Sequence, residues 1–375
     1  MGGCDVIVAG GGPAGAAAAL VLARVGRRVL LATGAAGDEF RVGESLPPVA
    51  RLLLRDLGVL DRFLAECHAP CYGNVSVWGG ADPVSTDFIF DPNGHGWHLD
   101  RIRFDRMLRA AARDAGAIVI PGTRLAGMAR NGQGWQVALS GSTGASEVVS
   151  CRWLIDATGR AAHVARQAGA VRTRDDALIA FYCRFRQVTG TRADRDSRTA
   201  VEAGPDGWWY SARVPSGERV VAFFTDVDLV DKPTMLTRAG FATGLLGSRY
   251  VRELLSGYTA ISTPRGVDAG TGHLDAPLGD RWVAVGDAAL SFDPLSSQGL
   301  VNALFTGLTA GRAVDRALDQ DPVGLADYRS RLAGIERAYR RNREVYYAAE
   351  QRWPDRPFWR RRTTGPPPGS PRESG

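Results

Sequence analysis

The sequence predicts an α/β protein in which a parallel-sheet domain is joined to a second domain of antiparallel sheet and followed by a C-terminal helix. Short apolar runs alternate with helical patterns in the first third of the chain, as in βαβ units. Residues 177–226 instead form long alternating runs broken by a Pro-Ser-Gly turn at 215–217, which is typical of antiparallel strands with one covered face. Residues 323–351 have the spacing of a long helix.

The individual elements follow from the same spacing rules. The chain begins with a buried strand at 4–9, a helix that ends near Gly26 and a second strand at 28–32. Residues 72–90 are expected to form strands with Val75, Val77, Phe88 and Phe90 on alternating faces. The other expected elements are helices at 49–66, 104–115, 234–256 and 299–318, strands at 117–120, 153–155 and 282–285, and a β-meander at 130–150.

These elements predict two intertwined domains and a C-terminal extension. The parallel-sheet domain is discontinuous, and the antiparallel domain is inserted into it twice. The expected boundaries are 1–66, 98–170 and 268–320 for the first domain, 67–97 and 171–267 for the second, 321–362 for a C-terminal helical segment, and 363–375 for a disordered Pro/Gly/Ser-rich tail.

Composition excludes several function classes. The chain of 375 residues is 45% hydrophobic and 23% charged, as expected for a globular enzyme. Its net charge is +6, but residues 336–362 hold nine arginines against four carboxylates. The rest of the chain is therefore nearly neutral, which argues against a nucleic-acid groove. The longest apolar run, 14–23, is half of what a membrane span needs, so no span is expected.

The cysteines predict a reducing, cytoplasmic setting. Five are present, an odd number without regular spacing, so a disulfide framework is not expected. Cys67, His68 and Cys71 resemble half of a metal site, but no second pair completes it. We therefore expect no metal.

A glycine-rich turn at the start of the chain predicts a dinucleotide site. Gly10, Gly12 and Gly15 form a G-x-G-x-x-G pattern, with Pro13 and Ala14 between the last two, directly after a strand and at the start of a helix. Glycines let the backbone approach a pyrophosphate, and the helix N-terminus supplies N–H donors and a positive dipole. Thr33 stands where a ribose-binding acidic residue is usual, which weakens that contact.

Two later segments indicate which dinucleotide is bound. Residues 153–160 place a small-residue turn after a buried strand, and Asp287 follows another strand, where its carboxylate can accept a ribitol or ribose hydroxyl. With the glycine turn, they resemble the three-part FAD signature of the flavoprotein monooxygenase and glutathione-reductase-like superfamily. The resemblance implies FAD and a glutathione-reductase-like, or p-hydroxybenzoate-hydroxylase-like, FAD domain beside an antiparallel-sheet substrate domain.

The segment after Asp287 is the candidate catalytic turn. Pro294 and Gly299 frame a helix N-terminus that we expect to point at the flavin, where its dipole stabilises the negative charge of the reduced ring. A tight turn without this role is the alternative. The residues assigned to catalysis are Pro294, Ser296, Ser297 and Gln298, and those assigned to the cofactor are Gly299 and Leu300.

Residues 41–48 carry a closer resemblance. Their sequence, RVGESLPP, resembles the G-E-S-x-x-P segment of flavin-dependent halogenases and, more closely, the flavoproteins that mature tryptophan-derived quinone cofactors in lysine and glycine oxidases. Residues 292–304 and the closing pattern at 339–362 resemble the same maturases. The resemblance implies cofactor contacts for Arg41, Glu44, Ser45 and Arg101.

Departures from the halogenase pattern favour hydroxylation. The lysine that halogenases carry after the G-E-S segment is missing, and the only lysine of the chain is Lys232. Ser296 replaces the expected glutamate, Gln298 replaces the halide-site threonine, and the tryptophan motif at 208–215 reads WWYSARVP. A reduced flavin and O2 form a C4a-hydroperoxide that hydroxylates electron-rich rings. The predicted activity is therefore FAD-dependent monooxygenation of an indole or tryptophan side chain, free or peptide-borne.

The protein's task in that chemistry is to exclude water and orient the ring. The candidate substrate residues are Trp208, Trp209 and Tyr210, although core packing is the better interpretation for at least two of them. Residues 156–160, DATGR, resemble the branch that receives reduced flavin from a separate reductase. NAD(P)H is thus expected to act indirectly, through a partner.

Three alternatives remain at this point. The first is a flavin dehydrogenase or reductase of a small biosynthetic intermediate, because geranylgeranyl reductases share the fold and a Pro–Gly flavin turn. The second is a halogenase-like enzyme without the usual lysine and glutamate. The third is a flavoprotein that works only on a partner peptide, favoured by the arginine- and aromatic-rich run at 339–362, which we otherwise interpret as a solvated helix face packed on the FAD domain.

Overall fold

The computed structural model describes residues 3–34, 40–132, 134–141, 144, 146–191 and 193–363. Within these residues the chain forms four sheets and eleven helices. The helices are α1 (Pro13–Arg24), α2 (Ala50–Asp56), α3 (Leu60–Ala65), α4 (Arg101–Asp114), α5 (His163–Gln167), α6 (Lys232–Met235), α7 (Arg238–Leu245), α8 (Tyr250–Leu254), α9 (Gly299–Leu318), α10 (Val323–Ala348) and α11 (Pro357–Thr363). Short 3-10 turns lie at Phe88–Phe90, Gly159–Ala161, Gly286–Ala288 and Pro294–Ser296.

A mainly parallel sheet organises the first half of the fold. Its strands are β1 (Cys4–Ala9), β2 (Val29–Thr33), β8 (Ile118–Pro121), β9 (Thr123–Asn131), β10 (Gly134–Gly141), β11 (Ser146–Asp156), β20 (Leu278–Gly279) and β21 (Trp282–Ala284). The order is β20-β21-β11-β1-β2-β8, with β9 and β10 added as an antiparallel meander on β11. β1 is almost wholly apolar and lies between two parallel neighbours, as expected for a strand buried on both faces.

Close packing of α1 against α9 fixes one face of this sheet. α1 is rich in alanine, and α9 presents Gly307 and Gly311 to it. A Cβ at Gly307 would lie 2.3 Å from the Ala14 carbonyl oxygen, so the two helices approach more closely than larger residues allow. The sequence-predicted bounds of α9, 299–318, agree with the structure.

A mainly antiparallel sheet forms the second layer. Its strands are β5 (Gly73–Val77), β6 (Val84–Asp87), β13 (Leu178–Gln187), β14 (Thr199–Gly204), β15 (Gly207–Arg213), β16 (Arg219–Asp226), β17 (Tyr258–Ala260) and β18 (Arg265–Asp268). Their order is β17-β13-β16-β15-β14-β5-β6, with β18 paired to β13, and among these described strands only β14 and β5 pair in parallel. The antiparallel pairs β13–β16 and β15–β16 agree with the prediction for 177–226.

Two expectations in this layer are wrong. Phe88 and Phe90 lie in a 3-10 turn after β6 and not in a strand, and Phe90 is 93% exposed. The helix expected at 234–256 is divided into α6, α7 and α8. A Cβ at Gly240 would lie 2.1 Å from the Thr234 carbonyl oxygen. The chain therefore turns sharply between α6 and α7, and only glycine fits at this position.

Two three-stranded sheets join the layers. The first consists of β3 (Ser45–Leu46), β4 (Ala69–Cys71) and β7 (Gly96–His98), and the second of β12 (Arg172–Arg174), β19 (Gly272–Leu274) and β22 (Leu290–Ser291). In the first sheet Ser45 pairs with His98, and the buried His98 ring contacts the Thr199 hydroxyl at 2.8 Å. This contact ties the segment after Arg41 to the antiparallel sheet.

The C-terminal segment is part of the core, which corrects the interpretation of 339–362 as a solvated face. Tyr347, Phe358 and Trp359 are fully buried against the antiparallel sheet, in a cluster that includes Trp208. The Trp359 indole N–H donates to the Gly204 carbonyl at 2.9 Å. Hydrophobic periodicity missed α11 because its seven residues are too few to reveal a period.

Of the tail expected to be disordered, 363–375, only Thr363 lies within the described residues, where it ends α11. None of the described helices combines the length and the apolar character that crossing a bilayer requires.

Replacing Trp359 by alanine is expected to destabilise the protein strongly. The variant would leave a cavity behind the antiparallel sheet and remove a buried hydrogen bond. We expect the free energy of unfolding, measured by urea denaturation, to fall by about 3–5 kcal/mol. Phe90→Ala is the matched control, because that ring is exposed and its loss should change stability by less than about 0.5 kcal/mol. Equal effects of the two substitutions would contradict this packing.

Candidate functional site

A cavity of about 380 Å³ lies between the N-terminal ends of α1 and α9 and one face of the antiparallel sheet. α1 contributes Pro13 and Ala14, α9 contributes Gly299 and Leu300, and β15 contributes aromatic side chains. The site therefore brings together segments that are almost 300 residues apart in the sequence. Predicted site residues that line it are Gly12, Pro13, Ala14, Glu44, Ser45, Arg101, Trp208, Tyr210, Asp287, Pro294, Ser297, Gly299 and Leu300.

The glycines of the N-terminal turn have different tasks. Gly10 adopts a φ of +115°, and a Cβ there would lie 2.1 Å from the Ala157 carbonyl oxygen. A Cβ at Gly15 would lie 1.9 Å from the Gly10 carbonyl oxygen. These two glycines shape the turn and do not line the cavity. Gly12 lines the cavity, and no atom lies within 4 Å of the position that its Cβ would take.

Two uncapped helix N-termini face the cavity. Gly12 is the N-cap of α1 and Gln298 is the N-cap of α9, and neither provides a side-chain cap. The backbone N–H groups of the first turn of each helix are therefore available to an acceptor, and the helix dipoles favour negative charge there. This arrangement suits a ligand with a phosphate at one end and an electron-accepting ring at the other.

Thr33 lies at the end of β2, is buried, and packs against the glycine turn. Its Cγ2 is 2.3 Å from where a Cβ of Gly11 would be, so it holds the turn and does not line the cavity. Sequence reasoning missed Arg109, which donates to the Gly11 carbonyl at 3.0 Å. The i, i+4, i+8 spacing of Arg101, Asp105 and Arg109 on α4 was the available signal.

Arg41 lies outside the main cavity and lines a second one of about 520 Å³. Arg101 and Tyr182 line both cavities, so the two adjoin. Arg41 and Arg101 share the buried Asp105, at 3.5 Å and 3.4 Å. Arg184 and Arg265 also line the second cavity, which is therefore rich in guanidinium groups.

The turn between β22 and α9 divides its residues between cavity and support. Pro294 and Ser297 line the cavity, and Ser297 has a left-handed φ of +51°. Ser296 does not, because its hydroxyl donates to the Asp293 carbonyl at 2.8 Å. Gln298 is exposed to solvent. In this tight turn the Ser297 side chain lies at the cavity, while Ser296 bonds to the backbone and Gln298 lies in solvent.

Side chains alternate along β15, which separates the aromatic candidates. Trp208 and Tyr210 face the cavity, whereas Trp209 lies on the opposite face and packs on Phe223 and Phe241. Trp209 is thus a core residue and not a substrate contact, because successive strand residues point to opposite faces. Trp208 stacks on Phe224 with ring centroids 3.9 Å apart.

A buried hydrogen-bond chain holds Trp208 in place. Its indole N–H donates to the Tyr347 hydroxyl at 3.3 Å, and that hydroxyl donates to Asp293 Oδ2 at 2.7 Å. Burial raises the pKa of Tyr347, which keeps its hydroxyl protonated as a donor. Asp293 and Tyr347 were not among the sequence candidates, since nothing local relates residues 54 positions apart.

Glu44 is the carboxylate buried in the cavity wall. It is 1% exposed, and neither carboxylate oxygen has a partner at full hydrogen-bond geometry within the described residues, although the Tyr210 hydroxyl and the backbone N–H groups of Gly43 and Glu44 lie close to it. Burial raises the pKa of Glu44, and the nearby Tyr210 hydroxyl and Arg101 guanidinium partly offset this effect. Burial and the neighbouring Glu44 in turn raise the pKa of Tyr210 well above its ordinary value.

The residues present fit FAD. Gly12 leaves room for a close backbone approach, two helix N-termini offer N–H donors, and Asp287 offers a carboxylate 35% exposed at the cavity edge. A Gly286 φ of +57° turns the chain there so that Asp287 faces the cavity. Arg160 Nε lies 3.5 Å from Asp287 Oδ2, so the two side chains form an ion pair at the cavity edge.

A family model described as "FAD binding domain" matches residues 3–205, more than half of the chain. LodB of Marinomonas mediterranea, a FAD-dependent oxidoreductase by name, is 30% identical over 364 residues, which cover 96% of each protein. The chain belongs to the FAD binding domain family. This membership agrees with the glycine turn and with the two uncapped helices at the cavity.

Other proteins similar to this chain have names that indicate different chemistry. A flavin-dependent halogenase, rdc2 of Metacordyceps chlamydosporia, is 25% identical and matches 85% of this chain and 66% of its own length. The halogenase is thus the longer protein. A menaquinone reductase of Mycobacterium tuberculosis is 29% identical over 321 residues, 83% of this chain and 76% of that protein.

Solved structures share the fold over nearly the whole chain. The flavin-dependent halogenase CmlS superposes with a TM-score of 0.86 at 25% identity, covering 98% of this chain and 69% of CmlS. QhpG, a peptidyl tryptophan dihydroxylase essential for tryptophylquinone cofactor biogenesis, superposes with a TM-score of 0.76 at 24% identity, covering 98% of this chain and 80% of QhpG.

These relationships confirm the predicted α/β fold class with its FAD-binding domain. This protein is a flavin-dependent oxidoreductase of the halogenase-like superfamily, and FAD is its cofactor. When bound, FAD would supply two-electron redox chemistry, and the residues that line the cavity would bind it, orient it and limit solvent access.

Replacing Gly12 by alanine is expected to weaken FAD binding without harming the fold. The φ of −76° at Gly12 suits alanine, but the new methyl group would project into the cavity. We expect the dissociation constant for FAD, measured by flavin fluorescence, to rise about tenfold, as for a crowded site. Gly334→Ala in α10 is the control, since its Cβ also meets no atom within 4 Å but lies away from the cavity. FAD affinity equal to the unmodified protein would refute the assignment.

Proposed function

We propose that this flavoprotein is an FAD-dependent monooxygenase that hydroxylates an electron-rich aromatic substrate, an indole or a tryptophan side chain, free or peptide-borne. The observation that carries the proposal is the juxtaposition of the α9 N-terminus with an aromatic wall across one cavity. Trp208 and Phe224 form that wall, and Ala180, Val220 and Ala222 extend it with apolar side chains.

The wall suits a flat, apolar ring. Phe224 is stacked on the almost fully buried Trp208, which fixes its ring in the cavity wall, and offset stacking of a substrate ring on an aromatic side chain is favourable. Apolar side chains beside it exclude water from the reacting ring. Bound FAD would supply activated oxygen, so this chain need only position the ring and keep the cavity dry.

The missing lysine supports hydroxylation over halogenation. Lys232 is the sole lysine of the chain, and it lies exposed in α6 without lining the cavity. The resemblance to halogenases implies a lysine shortly after the G-E-S segment, and no lysine is among the described residues that line the cavity. A halogenase route would therefore need a different acceptor for the oxidised halide.

Reduction of an alkene or quinone is the second candidate function. It is favoured by the family relationship to a menaquinone reductase. The two candidates differ in a simple observable, because hydroxylation adds oxygen and reduction adds hydrogen.

We also propose that a separate flavin reductase delivers the electrons. The DATGR run at 156–160 is occupied by structural contacts. Asp156 accepts from the Thr158 N–H, the Thr158 hydroxyl and the Ala165 N–H at 2.9, 2.6 and 2.8 Å, and Arg160 donates to the Gly270 carbonyl. These side chains are committed to holding the turn, which supports a supply of reducing equivalents from outside.

The hydroxylase proposal predicts oxygen incorporation in a single turnover. FAD-loaded protein is reduced chemically without air and then mixed with ¹⁸O2 and indole, tryptophan or a tryptophan-containing peptide. We expect a product that carries one or two labelled oxygen atoms, detected by mass spectrometry. Trp208→Leu should lower the yield because the stacking wall is lost, whereas Phe90→Ala, on the surface, should not.

Three results would contradict hydroxylation. Release of peroxide with no consumption of any aromatic compound would exclude it for this panel. A product altered by two hydrogens without O2 would establish the reductase. A halogenated product on addition of chloride or bromide would establish a halogenase that works without the usual lysine.

The source of electrons is tested by anaerobic mixing. FAD-loaded protein is combined with NADPH or with NADH, with and without an aromatic substrate, and flavin absorbance is followed. We expect the oxidised spectrum to persist until a flavin reductase is added. Rapid bleaching by either nucleotide alone would show that the chain has its own nicotinamide site.

A further inference from the structure

Glu44 stands apart from the other carboxylates that line the cavity. Asp268 is paired with Arg174 at 3.0 Å and Asp287 lies beside Arg160, while Asp293 accepts from the Leu295 N–H at 3.0 Å. Glu44 is more deeply buried than Asp268 and Asp287, yet both of its carboxylate oxygens lack a hydrogen bond within the described residues. A buried carboxylate without a partner is costly, so its retention requires a reason.

The backbone around Glu44 fixes where its side chain lies. Gly43 adopts a φ of +89°, and a Cβ there would come within 3.0 Å of Arg101 Nη1. The Glu44 carbonyl accepts from the Leu99 N–H at 2.8 Å, and Ser45 begins β3. The carboxylate is thus held between a tight turn and a short strand, and it has little freedom to reach solvent.

The Tyr210 hydroxyl and the backbone N–H groups of Gly43 and Glu44 lie close enough to orient the Glu44 carboxylate, but none of them completes a hydrogen bond of full geometry within the described residues. Arg101 Nη1 is occupied by the carbonyls of Val42 and Gly43, at 3.2 and 2.9 Å, and Arg101 Nη2 by Asp105. The Tyr210 side chain lies beside Glu44. Tyr210 is two residues after Trp208 in β15, so both side chains lie on the same face of the sheet. The free acceptor therefore lies beside the aromatic wall.

We propose that Glu44 accepts a hydrogen bond from a ring N–H or O–H group of the aromatic substrate and thereby selects substrates that carry such a donor. The inference rests on the proposed hydroxylation, whose aromatic wall is the same. It narrows the substrate class to indoles and phenols. An N–H or O–H bonded to a carboxylate makes the ring more electron-rich, which favours attack on an activated oxygen.

The flavin ring is an alternative hydrogen-bond donor to Glu44, because it also has an N–H group. The two sources predict different losses. If the flavin is the donor, removal of the Glu44 carboxylate weakens FAD binding and leaves the choice of substrate unchanged. If the substrate is the donor, FAD binding is kept and the preference for donor-bearing rings is lost.

The test compares two rings that differ only in the donor. Indole and benzofuran have nearly the same shape, and benzofuran has an oxygen in place of the N–H. Their dissociation constants for FAD-loaded protein are measured by isothermal titration calorimetry, which requires no turnover. We expect indole to bind about tenfold or more tightly, as for a hydrogen bond to a charged group.

Glu44→Gln should bring the two dissociation constants within about threefold, since an amide can either accept from indole or donate to benzofuran. Asp268→Asn is the matched control, because that carboxylate lines the same cavity but already has partners, and the preference for indole should persist. Flavin fluorescence gives the FAD affinity of each variant, and circular dichroism confirms that each is folded.

Four outcomes would overturn the inference. These are equal binding of indole and benzofuran by the unmodified protein, no measurable binding of either, a preference that survives Glu44→Gln, and a loss of FAD affinity with the preference intact. The comparison on the unmodified protein stands even if Glu44→Gln fails to fold. The binding comparison requires no oxygen and no turnover. A failure of the hydroxylation test would therefore be distinguishable from a failure of this inference.

Discussion

The close packing of α1 on α9 is the constraint on which the rest of the site depends. Gly307 and Gly311 let the two helices lie nearly backbone to backbone, with Gly307 against Ala14. That proximity brings both helix N-termini to one cavity, although almost 300 residues separate them. Two sets of helix N-terminal N–H groups would then act on one ligand and would stabilise negative charge at both of its ends. Larger residues at these glycines would separate the two sets.

The parts of the fold that the sequence predicts are those with local causes. The glycine turn, the buried strands and the bounds of α9 follow from spacing within about 20 residues. Asp293, Tyr347 and Arg109 were missed because each is defined by a partner far along the chain. Trp209 was grouped with Trp208 by composition, whereas strand alternation places it on the opposite face. The unpaired state of Glu44 depends on three segments meeting and has no local signature.

The arginine-rich C-terminus is explained by internal charge pairing and not by a basic surface. Asp226 binds Arg362 at 2.6 Å in a buried pair, and Asp176 binds Arg343 at 3.0 Å. A buried carboxylate needs a partner of fixed geometry, which the planar guanidinium group provides better than lysine. Among the described residues, at least six of the nine arginines at 336–362 contact carboxylates, some buried and some, as in Arg356–Asp206, about half exposed: Arg340, Arg343, Arg352, Arg356, Arg361 and Arg362.

This pairing has a consequence for the cavity. Arg343 lies 3.5 Å from Asp293, the same carboxylate that holds Tyr347 and, through it, the indole of Trp208. Asp293 also caps the turn that leads into α9, where its Oδ1 accepts from Leu295. One buried carboxylate therefore holds both the turn that leads into α9 and, through Tyr347, the Trp208 side of the aromatic wall. A displacement of α10 changes the two sides of the cavity together, which makes the C-terminal segment a part of the site without lining it.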